Sequence, residues 1–146
     1  MADQTVSTLV VDAPPDRVMA VIADIKAYPD WNDEMKEVEV LSVHEDGGGR
    51  PARVRFVLDA GAIHDTYTLD YVWQGDTSVS WTMVEEAQMM RRLDGSYQLE
   101  PAGDATKVTY RLTADVKVPM IGLMKRKVEK VIVDRALKGL KKRVET

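Results

Sequence analysis

The stretch AYPDWNDEMKEVEVL, residues 27–41, is where the chain changes its repeat. Before it, Val18, Val21, Ile22 and Ile25 recur at three- and four-residue spacing and predict a short helix over residues 15–25. Pro29 interrupts that pattern. From residue 35 to 118 apolar and polar residues alternate, the period of a strand with one buried face. Two large aromatics, Tyr28 and Trp31, stand at the junction.

Working outward, residues 3–11 alternate well enough for a first strand. Pro14-Pro15-Asp16 then suits a helix start, with proline early and a carboxylate in the first turn. Strands are expected at 36–44, 52–59, 63–74, 77–85, 90–100 and 105–118. Asp46-Gly47-Gly48-Gly49, Gly61, Gly75-Asp76 and Gly103-Asp104 supply the residues that tight antiparallel connections require. The simple arrangement is a six-strand meander. Pro119 closes it, and helical spacing returns over residues 120–144 through Ile121, Met124, Val128, Ile132, Ala136 and Leu140, widened by Val131, Leu137 and Val144. A helix of about 25 residues is roughly 37 Å long, enough to lie across a small sheet. The expected class is α+β: a curved antiparallel sheet of about seven strands against a long C-terminal helix, with two short helices after the first strand.

Bulk properties narrow the function. At 146 residues and 45% hydrophobic content, with no linker, repeat or low-complexity segment, residues 1–146 read as one domain. The absence of cysteine excludes a disulfide framework, a thiolate metal site and a thiol nucleophile. No signal-like segment or run of about 18 apolar residues is present, so a soluble, cytoplasmic protein is expected. The net charge of −4 is uneven: residues 120–146 hold 9 Lys/Arg against 3 Asp/Glu, and the remainder 11 against 21. A DNA partner would meet a mostly acidic body and is not expected.

Strand parity separates two faces. Tyr67, Leu69, Tyr71 and Trp73 share one, opposite His64, Thr66, Thr68 and Asp70. The same rule groups Val79, Trp81 and Met83; Leu93, Gly95, Tyr97 and Leu99; and Val108, Tyr110 and Leu112. Six of the nine aromatics fall on these inward faces, and the chain contains one phenylalanine against five tyrosines. Tyrosine and tryptophan bring polar tips that need partners when buried, which suits an apolar pocket with a few hydrogen-bonding groups. Asp65 shares parity with Tyr67, and Arg91 with Leu93 and Tyr97, so both are candidates to carry a charge inward for proton transfer or enolate stabilisation.

Other chemistry is missing. His44 and His64 lie 20 residues apart without metal-ligand spacing, so no metal is expected. Gly47-Gly48-Gly49 lacks the GK[ST] of a phosphate loop, and no cofactor is implied. The basic face of the last helix, Lys125, Arg126, Lys127, Lys130, Lys138, Lys141, Lys142 and Arg143, reads as a solvated surface or as a patch for anionic lipid or an acidic partner.

Ala13-Pro14-Pro15-Asp16-Arg17-Val18, Tyr28-Pro29-Asp30-Trp31, Gly95-Ser96-Tyr97, Thr106-Lys107-Val108-Thr109-Tyr110 and Val118-Pro119 together resemble the helix-grip domains of the START and birch-pollen-allergen-like superfamily. Within it the likeness is to the polyketide cyclase/dehydrase and coenzyme Q-binding-like branch, across nearly the whole chain. The resemblance implies a hydrophobic cavity between sheet and final helix. The residues expected to line it are Trp31, Phe56, Tyr67, Tyr71, Trp81, Met83, Tyr97, Tyr110, Met120 and Met124. Tyr28 and Trp31 then belong either to the cavity wall or to a plug at the end of the sheet. The expected function is binding of a hydrophobic small molecule: a polyketide, isoprenoid quinone or lipid. Two alternatives stay open, a cyclase, aromatase or dehydrase using Asp65, Arg91 or a tyrosine, and a protein- or ribosome-interaction module using the basic helix. Monomer and dimer are equally compatible with the sequence.

Overall fold

The computed structural model describes residues 4–45, 49–59, 64–117 and 122–146, and in the last segment the side chains of residue 127 and residues 129–146. Asp46, Gly47, Gly48, Gly61, Val118, Pro119, Met120 and Ile121 lie outside the described residues. In chain order the elements are β1 (Gln4–Val11), α1 (Pro15–Ala23), a 3-10 turn (Ile25–Ala27), α2 (Tyr28–Trp31), β2 (Met35–Val43), β3 (Pro51–Asp59), β4 (His64–Gln74), β5 (Ser78–Met83), β6 (Met90–Ala102), β7 (Ala105–Val116) and α3 (Gly122–Glu145). All seven strands form one antiparallel sheet in the order β1-β7-β6-β5-β4-β3-β2. The meander is as the alternating pattern predicts, and β1 adds to it beside β7.

Local chemistry accounts for the ends. Pro15 opens α1 at a position where its missing N–H costs nothing. Gly75 and Gly103 adopt φ of 56° and 65° in the hairpins β4–β5 and β6–β7, conformations a Cβ disfavours. Register shifts between Met35 and Glu37 and between Val40 and Val43 make β2 irregular against β3, as β-bulges do.

A further shift corrects the expectation for Arg91. Met90 pairs with Val116 and Arg92 with Asp115, so Arg91 is an extra residue that breaks the two-residue period. Met90 and Leu93 are buried while Arg91 is exposed, so its guanidinium is outside the core. Parity counted back from Leu93 fails because the bulge intervenes.

Asp65 does point inward, at 7% exposure, but its carboxylate is committed to backbone. Oδ1 accepts from the N–H groups of Thr66 at 2.9 Å and Gln88 at 3.2 Å, and Oδ2 from Met89 at 2.7 Å and Met90 at 3.1 Å. One side chain thus satisfies the donors of the segment that leads from β5 into β6.

The buried stripe of α3 includes Val133, Ala136, Leu137, Leu140 and Val144. Val133 is wholly buried although the predicted stripe omits it, while Ile132 and Val131, which the stripe includes, are half-buried. This face packs on β1, β7 and α1, so the helix lies along one side of the sheet. Gly139 lets α3 approach α2 closely: a Cβ there would stand 2.7 Å from the carbonyl oxygen of Trp31 and 2.9 Å from its Cε3.

Two outcomes follow for stability. Gly139→Ala should lower the unfolding free energy by about 1–3 kcal/mol through overpacking, although alanine is otherwise the better helix former by about 1 kcal/mol. Asp65→Asn, which turns two of the four accepted bonds into donor–donor clashes, should cost about 2–3 kcal/mol. Urea unfolding monitored by circular dichroism measures both.

Candidate functional site

The nine aromatic rings form one connected set. Trp31 meets Tyr28 edge-on at 5.0 Å, Tyr28 stacks on Phe56 at 6.4 Å, and Phe56 lies between Tyr67 and Tyr71. Tyr71 continues to Trp73 and Trp81, and Trp81 to Tyr97 and Tyr110, themselves 4.6 Å apart. The set runs from α2 across the inner face of β3, β4, β5, β6 and β7, because residues two apart on a strand and opposite on neighbours share a face. Trp81 pairs with Gly95, where a Cβ would come within 2.6 Å of the indole Cζ2, so the glycine makes room for the ring.

Between this face and the helices α2 and α3 is a cavity that gives the centre of a water molecule about 60 Å³. A water needs about 10–15 Å³ on that scale, so the space holds several. Its wall is mostly apolar, built by Phe56, Leu58, Leu69, Leu93 and Leu112 from the sheet and by Ile132 and Ala136 from α3. Tyr28, Tyr67, Tyr71, Tyr97 and Tyr110 also line it, the Tyr28 hydroxyl being taken up by the carbonyl of Ile22, and Trp31, Asn32, Glu34 and Met35 close the end near α2.

Burial holds all five tyrosines well above the ordinary phenol pKa, because an ionised ring there would lose its hydration. They are neutral donors at physiological pH. The hydroxyl of Tyr28 donates to the carbonyl of Ile22, which pins α2 against α1. Tyr28 and Trp31 therefore serve both expected roles, since they fix the turn between helix and strand and also line the cavity.

Glu34 carries no signal of its own in the sequence, where it stands in a run of charges, Asp33-Glu34-Met35-Lys36-Glu37. In the structure it is 4% exposed. Its Oε1 accepts from Arg135 Nη1 of α3 at 2.6 Å, its backbone N–H donates to Asn32 Oδ1 at 3.2 Å, and its carbonyl accepts from the Asp59 N–H at 2.8 Å.

Seven of the ten expected lining residues border the cavity: Trp31, Phe56, Tyr67, Tyr71, Trp81, Tyr97 and Tyr110. Met83 is half-buried and packs at the margin of the core instead, near the end of β5 where the strand leaves the concave centre. Met120 and the side chain of Met124 lie outside the described residues. Neither Asp65 nor Arg91 borders the cavity. Among the described residues no group of three or more His, Asp or Glu is placed to hold a metal ion, and no helix is long and apolar enough to cross a membrane.

On the basic face of α3, Lys127, Lys138, Lys142 and Arg143 are exposed. Lys130 pairs with Asp134 at 3.3 Å, and Lys141 reaches both Glu145 and the carbonyl of Val10. Part of this face is thus tied to its own helix and to β1.

Known structures share the architecture. A START superfamily protein from Mycobacterium smegmatis superposes with a TM-score of 0.88 at 23% identity, covering 97% of each chain. A protein from Thermus thermophilus gives 0.83 at 23% identity, again over 97% of each. The Zhui aromatase/cyclase from a Streptomyces species gives 0.79 at 18% identity, over 99% of this chain and 94% of that one. Among curated proteins none matches the chain. The helix-grip arrangement of sheet and C-terminal helix, and a family match that runs from residue 2 to residue 145, place the chain in the polyketide cyclase / dehydrase and lipid transport family, to which it belongs.

Proposed function

We propose that this protein binds a compact, largely apolar small molecule in the cavity between its sheet and the helices α2 and α3. The observation that carries the reading is the cavity itself, walled by leucines and aromatic rings with tyrosines among them. Binding comes mainly from removing apolar ligand surface from water, at about 25 cal/mol per Å² before the costs of association. Tyr67, Tyr71, Tyr97 and Tyr110 act as orienting donors. Ligand pockets for drug-sized molecules run to about 300–1,000 Å³, so the smaller room here favours a fused ring over a long acyl chain.

Aromatic polyketides, isoprenoid quinones and lipids all present apolar surface of the kind this wall would cover. Turnover of a polyketide by cyclisation or dehydration is the finer alternative. It would have to draw its proton donors from the tyrosines, because Asp65 is held by backbone N–H groups and Arg91 is on the outside.

Naphthalene, titrated by calorimetry, is a suitable probe. Ala136→Leu, which grows into the cavity from α3, should weaken its binding about tenfold or more while changing stability by less than about 2 kcal/mol. Val72→Ser on the exposed face of β4 should leave affinity unchanged. Equal affinity in all three proteins would place the binding site elsewhere.

An alkaline titration checks the five hydroxyls. Their pKa values are raised in the folded state, so the unfolded chain gives up these protons first and stability falls as pH rises past about 10. Tyrosinate absorbance should therefore appear together with loss of circular dichroism; its gradual appearance in the folded protein near pH 10 would mean the rings are hydrated.

A further inference from the structure

The helix α3 is fastened unequally along its two flanks. Toward β1 it is held by Ser7 Oγ on Asp134 at 3.4 Å, by Lys141 on the carbonyl of Val10 at 2.9 Å and, just past the strand, by the Asp12 N–H on Glu145 at 2.8 Å. Arg17 of α1 adds a bond to the carbonyl of Val144 at 3.0 Å, and the Ala114 N–H of β7 one to Glu129 at 3.2 Å. Toward α2 and the turn after it, the bond among the described residues is the pair of Arg135 with Glu34 at 2.6 Å. The packing of Trp31 on Gly139 completes that flank.

This weakly fastened seam borders the cavity. Trp31, Asn32, Glu34 and Met35 stand on one side of it, and Ile132 and Ala136, which flank Arg135 on α3, on the other. Passage through the sheet would instead break backbone ladders, which are continuous from β1 to β2. The seam also carries an unmet demand. Glu34 Oε2 is buried with no partner among the described residues, and it belongs to the same carboxyl group that Arg135 holds. A buried polar atom in that state forfeits its hydration without compensation.

We propose, building on the binding function above, that the seam between α3 and the α2–β2 turn is the entrance to the cavity, with the Glu34–Arg135 pair as its latch. Arg135 is two-thirds exposed, so its guanidinium is largely hydrated already and exchanges the carboxylate for water at little cost. Glu34 gains on release the hydration it lacks when the latch is shut. The bonds on the opposite flank keep α3 on β1, β7 and α1 while the seam opens and recloses.

The test mixes naphthalene with the whole protein in a stopped-flow fluorimeter and follows amide hydrogen exchange in parallel. Arg135→Gln should raise the association and dissociation rates together, about fivefold or more, because an entrance speeds passage in both directions. Lys138→Gln, at an exposed cation of the same helix, should change neither. In Arg135→Gln the amides of Asn32 and Met35, bonded within the turn at 2.8 and 3.1 Å, should exchange several-fold faster while that of Leu99 in β6 keeps its rate. Unchanged rates, or faster dissociation alone, would overturn the latch and leave the cavity reading intact. Equal acceleration of Leu99 and the turn would mean general instability and count against it as well. If Arg135→Gln fails to fold, the unmodified protein decides: raising salt from about 0.05 to 0.5 M screens the pair, and both rates should rise about twofold, whereas no response sinks the proposal. Naphthalene that does not bind the unmodified protein at all would overturn the cavity reading, and its entrance with it.

Discussion

Contact between aromatic rings is the interaction on which the rest of this structure depends. Every tryptophan, tyrosine and phenylalanine of the chain belongs to one connected set that crosses the inner face from β3 to β7 and ends on α2. The rings meet in stacked, tilted and edge-on arrangements, and between this face and the helices a cavity remains. The two glycines that face tryptophans, Gly95 under Trp81 and Gly139 under Trp31, show where backbone has made way for ring.

The helices complete this surface. The 3-10 turn and α2 are short, and Tyr28 ties them back to α1 through the carbonyl of Ile22. α3 then meets α2 through Gly139 and reaches the turn after it through the ion pair of Arg135 with Glu34. Arg135 is itself two-thirds exposed, so the pair acts less as a source of stability than as a means of orienting a buried carboxylate. Neutral phenols along the sheet and one carboxylate at the end give the interior a graded polarity.

Much of the fold can be read in the chain because its signals are periodic. Alternation in HDTYTLDYVWQ places Tyr67, Leu69 and Tyr71 inward, as found, and Gly75 and Gly103 mark hairpins in which both have positive φ. Parity is lost where the ladder is irregular: the bulge at Arg91 turns the next residues over, and no residue type near it announces the extra position. The deepest position of the helix stripe is Val133 and not the expected Ile132, since Val131, Ile132 and Val133 are consecutive and only packing decides which is deepest. The polar end of the cavity is illegible in principle. Glu34 in a run of charged residues has the look of surface, and its burial depends on Arg135, about a hundred residues away, and on the exact approach of α3.

The irregular register of β2 bears on how the protein keeps to itself. A sheet that does not close has two free edges, each a row of donors and acceptors on which another chain can add a strand. At one edge the end of β1 is partly capped by α3, whose Lys141 takes the carbonyl of Val10 while Glu145 takes the N–H of Asp12 just beyond the strand. At the other, β2 departs from regular pairing at three places and carries Lys36, Glu37 and Glu39. An incoming strand would find no long straight ladder and would have to desolvate charge to use what there is. Both open edges of the sheet thus carry features that disfavour the addition of a further strand.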